Sequence, residues 1–232
     1  MANLEFVKKI DNLIPLRFVL VSCTNKDGLV SNKKNDGSVI KGIPKNGLLG
    51  HIHKINPKIQ FISTGGTYKI IKEASLPVIE VSKYTGYPEM KTGLVKSLHP
   101  AIHAGILAHR YTESDNEFLK EHKLNYFDAL IVNFYDLDKM ANTPNATFEM
   151  IRQSIDIGGP TMVHNARKAF ISTAILTDPN DYEKLIDELS ANKGAISLKT
   201  RLNLAKKASK MITAYMNSID KIVQKLDISD LE

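Results

Sequence analysis

Five short apolar runs punctuate the chain: RFVLVS (17–22), KIQFIST (58–64), LPVIEVS (76–82), ALIVNFY (129–135) and FISTAILT (170–177). Several are apolar at consecutive positions rather than alternate ones, which predicts strands covered on both faces, as in a parallel sheet. Helical patterns separate them. GTYKIIKEAS follows the second run and ESDNEFLKEHK precedes the fourth. TFEMIRQSI and GPTMVHNARKA lie between the fourth and fifth, and PNDYEKLIDELSANK follows the fifth with Pro179 in its first turn. Alternating strands and helices predict an α/β sheet joined by crossover connections. The last helix starts after Ser197, a residue suited to an N-cap. Its apolar stripe runs through Leu198, Leu202, Ala205, Ile212, Tyr215, Ile219, Ile222 and Leu226.

Two segments fall outside a minimal α/β unit. Residues 31–47, SNKKNDGSVIKGIPKNG, are polar and glycine-rich and read as a surface insertion. Residues 83–100, KYTGYPEMKTGLVKSLHP, read as a long loop. Such loops at the carboxyl ends of parallel strands commonly carry ligand sites.

Composition narrows the class. At 232 residues the chain is long enough for one domain with a real core, and 43% hydrophobic residues is ordinary for a globular protein. The net charge of +6 invites a nucleic-acid reading, but 31 basic residues are interleaved with 25 acidic ones. Doublets such as Lys33-Lys34 and Lys206-Lys207 therefore read as solvated faces. No nucleic-acid partner is expected. One cysteine, Cys23, excludes an internal disulfide and fits a cytoplasmic location. The first twenty residues, with Glu5, Lys8, Lys9, Asp11 and Arg17, contain no uninterrupted apolar run, so neither a signal peptide nor a membrane span is expected.

Four stretches carry candidate chemistry. VSCTNKDG ends a strand and projects Ser22, Thr24 and Lys26. ISTGGTYK ends the next in Thr64, Gly65, Gly66 and Thr67, where a helix opens on bare amides. Amides at a helix N-terminus favour an anion, so the two turns together read as a phosphate cradle. The plain alternative for TGGT alone is a strand–helix turn with a threonine cap. In GLVKSLHPAIHAGILAHR, Pro100 argues against a continuous helix through His99 and His103, so a metal pair is not expected. Lys96, in an otherwise apolar stretch, is a candidate proton donor or acceptor. Asn133 and Tyr135 end the fourth strand at the cleft edge. In SIDIGGPTM, Asp156 precedes two glycines and Pro160. It serves either as a plain helix cap or as a base beside the bare amides of Ile157 and Gly158, which can stabilise an oxyanion.

These blocks, in this order, resemble the IMP cyclohydrolase domain of the bifunctional AICAR transformylase/IMP cyclohydrolase family, from about Leu16 to Ile219. The carriers are ISTGGTYKIIKEASLPVIEVSKYTGYPEM, VKSLHPAIHAGILAHR, IVNFY, SIDIGGPTM and SLKTRLNLAKKA. The resemblance implies a methylglyoxal-synthase-like fold: three α/β/α layers on a mainly parallel sheet, with a C-terminal helical extension. It implies closure of a formamido-carboxamide ribonucleotide (FAICAR) to IMP, without metal or organic cofactor. It implies that Ser22, Thr24, Lys26, Thr64, Gly65, Gly66 and Thr67 hold the 5′-phosphate. Lys96, Asn133, Tyr135, Asp156, Ile157, Gly158 and Lys168 would form the catalytic set. Lys168 lies about three helical turns beyond Asp156, so touching it would need a bent or short helix.

The chain departs from the family at Leu94, which stands for an arginine two residues before Lys96. It also departs at Thr24, Asn25, Asp136, Ala169 and Phe170. Ending at Glu232, it stops where the family continues into its transformylase half, so a separate formyl-transfer enzyme is the expected metabolic partner. A homodimer is a further expectation. Two other readings stay open. Methylglyoxal synthase would need a paired-aspartate loop that the sequence lacks. A regulatory nucleotide-binding module would need the cradle without the proton-transfer set.

Overall fold

The consecutive apolar runs become strands buried on both sides. A computed structural model describes residues 7–225. Its first half comprises β1 (Leu13–Pro15), β2 (Phe18–Cys23), α1 (Gly47–Ile55), β3 (Gln60–Ser63), α2 (Gly65–Glu73), β4 (Val78–Glu80), α3 (Val81–Thr85), α4 (Pro100–Leu107) and α5 (Glu113–Glu121). Then come β5 (Ala129–Asn133), α6 (Leu137–Ala141), α7 (Phe148–Ser154), α8 (Gly158–Lys168), β6 (Ala174–Leu176), a 3-10 turn at Pro179–Asp181, α9 (Tyr182–Ala191), β7 (Ala195–Ser197) and α10 (Leu198–Gln224).

Strands β4-β3-β2-β5-β6 form one sheet in that order, with every pairing parallel. The alternation of side chains across a strand divides the core in two. Val19, Val21, Phe61, Ile131 and Leu176 face a layer built by α1 and α9, including Leu48, Leu49, Leu185 and Leu189. Leu20, Ile62, Leu130, Val132 and Ile175 face α4, α8 and α10 through Ile102, Ile106, Met162, Val163 and Ile212. The α/β/α layering expected from the sequence is present. No helix among the described residues is long and apolar enough to cross a membrane.

Strands β1 and β7, three residues each and antiparallel, were not foreseen. They are tied to α10 by Arg201, which is 0% exposed. Its guanidinium donates to five backbone carbonyls: Phe170, Asn12, Ile196, Asp11 and Ile171, at 2.7–3.2 Å. Burial pulls its pKa down from the usual arginine value. This corrects the expected stripe. Ala205, Ile212 and Tyr215 are buried and Ile219 and Ile222 pack against the core, but Leu202 is 36% exposed. Arg201 and Leu204 take the inward positions instead. Ser197 caps α10 by accepting from the Thr200 amide at 3.3 Å. Leu226 lies outside the described residues.

In the 31–47 segment, Lys33 and Val39 bridge around Gly37, and residues 33–39 are exposed. Ile40 and Ile43 tuck back against the core. At the amino ends of the sheet, Asp128, 3% exposed, accepts from the Arg17 and Phe18 amides and from Arg110. This knot leaves the carboxyl ends of the strands free for a site.

Between α4 and α8, the Asn165 side-chain amide and His103 Nδ1 share a hydrogen bond at 2.8 Å. Burial lowers the pKa of His103 from its ordinary 6.5. The folded protein thus prefers the neutral ring, while the unfolded chain binds a proton near pH 6.5. The contribution is fully present above about pH 6.5 and fades as the pH falls below it. Urea midpoints between pH 7.5 and 5 should therefore decline, and the slope should flatten in His103→Gln. An unchanged slope in the variant would remove His103 from this role.

Candidate active site

The carboxyl ends of β2, β3 and β5 open onto one cleft of about 650 Å³. It lies at the crevice where the chain runs from β2 to β3 on one side and from β5 to β6 on the other, the usual ligand position in open α/β sheets. Ser22, Thr24, Lys26, Thr64, Gly65, Gly66 and Thr67 line it from one side, and Lys96, Asn133, Tyr135, Asp156, Ile157 and Gly158 complete it. Residues 136 positions apart in the chain, such as Ser22 and Gly158, thus share one wall.

Each wall is set by local chemistry. Helix α2 begins at Gly65, with Thr64 in extended conformation and no side-chain cap bond. The first amides of a helix have no intrahelical acceptor. Gly65 needs glycine because its φ is +56°. Gly66 has no such need: a Cβ there would meet nothing within 4 Å. It leaves open cleft space over the start of the helix, where an anion would approach.

Two expected roles change. The Thr67 hydroxyl donates to the Cys23 carbonyl at 3.0 Å and accepts from the Cys23 amide at 3.1 Å. It is spent on fastening α2 to β2, so only the Thr67 amide is left to the cradle. The Asn133 side chain accepts from the Asn25 amide at 2.8 Å and donates to the Asn25 carbonyl at 2.9 Å. It therefore shapes the turn that carries Lys26 rather than reaching freely into the cleft. Lys26 Nζ folds over that turn and donates to the Thr24 carbonyl at 3.2 Å. Below it, burial pushes the Cys23 thiol up to about 12, which makes it a packed floor rather than a nucleophile.

The paired glycines after Asp156 have a structural cause. A Cβ on Gly159 would overlap the Asp156 carboxylate, and one on Gly158 would overlap Ser97 Oγ. Asp156 Oδ1 accepts from the Gly159 amide at 3.1 Å, so the carboxylate caps α8 from one residue before the N-cap. The amides of Ile157 and Gly158 are not among those it takes. Both readings of Asp156 are thus compatible: it caps the helix with one oxygen and lines the cleft. The Asp156 amide donates to the Tyr215 hydroxyl at 2.8 Å, and the Tyr215 ring meets Phe134 edge-on at 4.5 Å. Burial and the nearby Asp156 charge raise the pKa of Tyr215. The sequence stripe marked Tyr215 only as an apolar position.

Lys96 enters on the 86–99 loop. Its ammonium lies 3.7 Å from Glu89 and packs against Gly65 and Gly93, whose added Cβ atoms would lie 3.2 and 3.3 Å from it. Tyr135 is half-exposed at the rim. His99 is the N-cap of α4, its Nδ1 accepting from the Ala101 amide at 3.1 Å, with Pro100 in the first turn. Lys168 does not join the cleft. It closes α8, eleven residues long, and at 1.5 Å per residue the helix carries it well away from Asp156. It lines a separate groove with His164, Arg167 and Lys206. The expectation that it tunes Asp156 within one chain is therefore not met. Among the described residues no group of three or more His, Cys, Asp or Glu side chains could hold a metal ion. Glu89, Ser97 and Tyr215 were missed because each acts through a partner distant in sequence.

Residues 50–161 match the model of the MGS-like domain, and residues 166–231 match that of the AICARFT/IMPCHase bienzyme. The chain belongs to this family. The bifunctional purine biosynthesis protein PurH of Neisseria meningitidis serogroup A is 43% identical over 175 residues, covering 72% of this chain and 33% of that protein. PurH of Neisseria gonorrhoeae is 38% identical over 211 residues, covering 88% and 37%. The chain thus spans about a third of the length of the curated relatives it matches. The crystal structure of ForH superposes with a TM-score of 0.72 at 25% identity, covering 90% of this chain and 99% of that one. The family membership and the superposition agree on an MGS-like fold; purine biosynthesis is the role named for the PurH relatives.

Proposed function

We propose that this chain is an IMP cyclohydrolase, closing FAICAR to IMP with loss of water. The observation that carries the reading is the meeting of Asp156, Lys96 and Tyr135 on one cleft with the open start of α2. In this reading the 5′-phosphate lies against the Gly65–Gly66 amides with Thr64, Ser22, Thr24 and Lys26 around it, at the positive end of the helix dipole. Anchoring there fixes the carboxamide beside the formyl group and removes the entropic part of the barrier.

The carboxamide nitrogen is a poor nucleophile because its lone pair is delocalised. Asp156 orients it and accepts a proton as the nitrogen bonds to the formyl carbon. Charge that develops on the formyl oxygen is taken by the Ile157 and Gly158 amides, and Lys96 or Tyr135 protonates it. The resulting hydroxyl takes the proton held by Asp156 and leaves as water, while the former formamido nitrogen returns a proton to Lys96 or Tyr135, and the ring already closed becomes aromatic. The balance is one water released, and every proton is accounted for by the substrate and these groups.

The test is an ultraviolet assay of IMP formation from FAICAR by the purified chain, beside Leu94→Arg. Turnover by the wild type is expected, and a faster Leu94→Arg would show that the missing cation limits it. Tight IMP binding without turnover in both would decide for a regulatory nucleotide-binding module instead.

A further inference from the structure

The 86–99 loop contains a carboxylate that the cyclisation chemistry does not use. Glu89 Oε1 accepts from Thr64 Oγ1 at 3.3 Å, and Oε2 lies 3.7 Å from Lys96 Nζ. It contacts one residue from each side of the cleft, yet it is not itself part of the cleft wall. It sits in a smaller pocket of about 250 Å³ behind the loop, beside Tyr87 and His99.

An acid next to an anion cradle weakens anion binding, so its presence there calls for a compensating role. Lys96 supplies one. Its ammonium packs on Gly65, at the start of α2. That is the positive end of a helix dipole, which disfavours a cation. The loop offers little regular structure to hold it there: Val95, just before Lys96, is in the left-handed region at φ +55°. The Glu89 carboxylate offsets the unfavourable placement and fastens the Thr64 hydroxyl at the same time. We propose that Glu89 is a positioning residue that seats Lys96 and Thr64 at the head of the cleft before substrate arrives.

The consequence for turnover rests on the cyclohydrolase reading; the seating of Lys96 does not. Glu89→Gln keeps the size and an acceptor for Thr64 but removes the ion pair, whereas Glu89→Ala removes both. Misplacement of a reacting group by an ångström can cost about 10²-fold. Glu89→Gln is therefore expected to lower kcat about 10–100-fold with little change in KM or Tm. Glu89→Ala should raise KM as well, and Glu89→Asp should recover part of the loss. Competitive acylation of the lysines, read by peptide mass spectrometry, should show Lys96 labelled several-fold faster in Glu89→Gln than in the wild type, relative to the other lysines. Unchanged Lys96 labelling overturns the proposal, as does Glu89→Gln binding IMP more tightly with undiminished turnover. If the wild type binds IMP but does not turn over, only the cyclohydrolase reading fails, and the labelling alone decides the role of Glu89.

Discussion

Asp156→Asn should lower turnover by about 10²–10⁴-fold, the range of a lost acid–base group, while IMP affinity changes far less. The substitution is well suited to separate the two uses of this side chain. An asparagine oxygen can still accept from the Gly159 amide, now at 3.1 Å, so the start of α8 should keep its shape. The phosphate cradle at the start of α2 is built from other residues and is left intact. A base is lost and a cap is retained. The comparison is kcat from the ultraviolet assay against the IMP dissociation constant from calorimetry. Equal losses in both would mean that Asp156 only holds the cleft together, and the cyclisation chemistry would need another base.

The second large effect concerns stability. Arg201→Met places a side chain of similar length in the same buried position but offers no donor to the five carbonyls that Arg201 now satisfies. Each buried acceptor left without a donor costs about 1–3 kcal/mol, so a loss of several kcal/mol is expected. The site contains no carboxylate among these acceptors, and the Asn12 and Ile171 carbonyls keep second donors in the Leu198 amide and the Tyr111 hydroxyl, so the loss comes from the remaining backbone acceptors rather than from an orphaned counter-charge. Arg201→Lys supplies three donors on a point charge instead of five in a planar fork, and should recover only part. Urea midpoints at unchanged m-value give the measurement. A loss below about 1 kcal/mol in Arg201→Met, the scale of one ordinary hydrogen bond, would show that water or repacking replaces the clamp.

The five strands of the sheet were legible because parallel strands buried on both faces must be apolar at consecutive positions. ALIVN and its flanks announce this without any partner in view. The cleft followed from the same logic, since strand ends and the glycine-opened helix start are local features. What was not legible depends on partners remote in the chain. Strands β1 and β7 are too short to carry a pattern and exist through their pairing. Helix α1 begins at Gly47, the last residue of the glycine-rich 31–47 segment, which hides its start. An arginine inside a helical stripe reads as exposed until its five acceptors, contributed by three segments, are assembled around it. Thr67 and Asn133 illustrate the converse. Their residue types suit a ligand, but their polar groups are engaged by Cys23 and Asn25. Lys168 shows that spacing alone fixes a residue's place in a helix, not the side of the molecule to which the helix delivers it.

The guanidinium of Arg201 joins residues separated by 189 and 190 positions, at Asn12 and Asp11. A ribosome making this chain emits Asp11 and Asn12 long before the guanidinium that binds their carbonyls exists. The buried clamp on Asp11 and Asn12 must therefore wait for α10, and truncation ahead of residue 201 would leave that segment to the Tyr111 hydroxyl and the β1–β7 pairing.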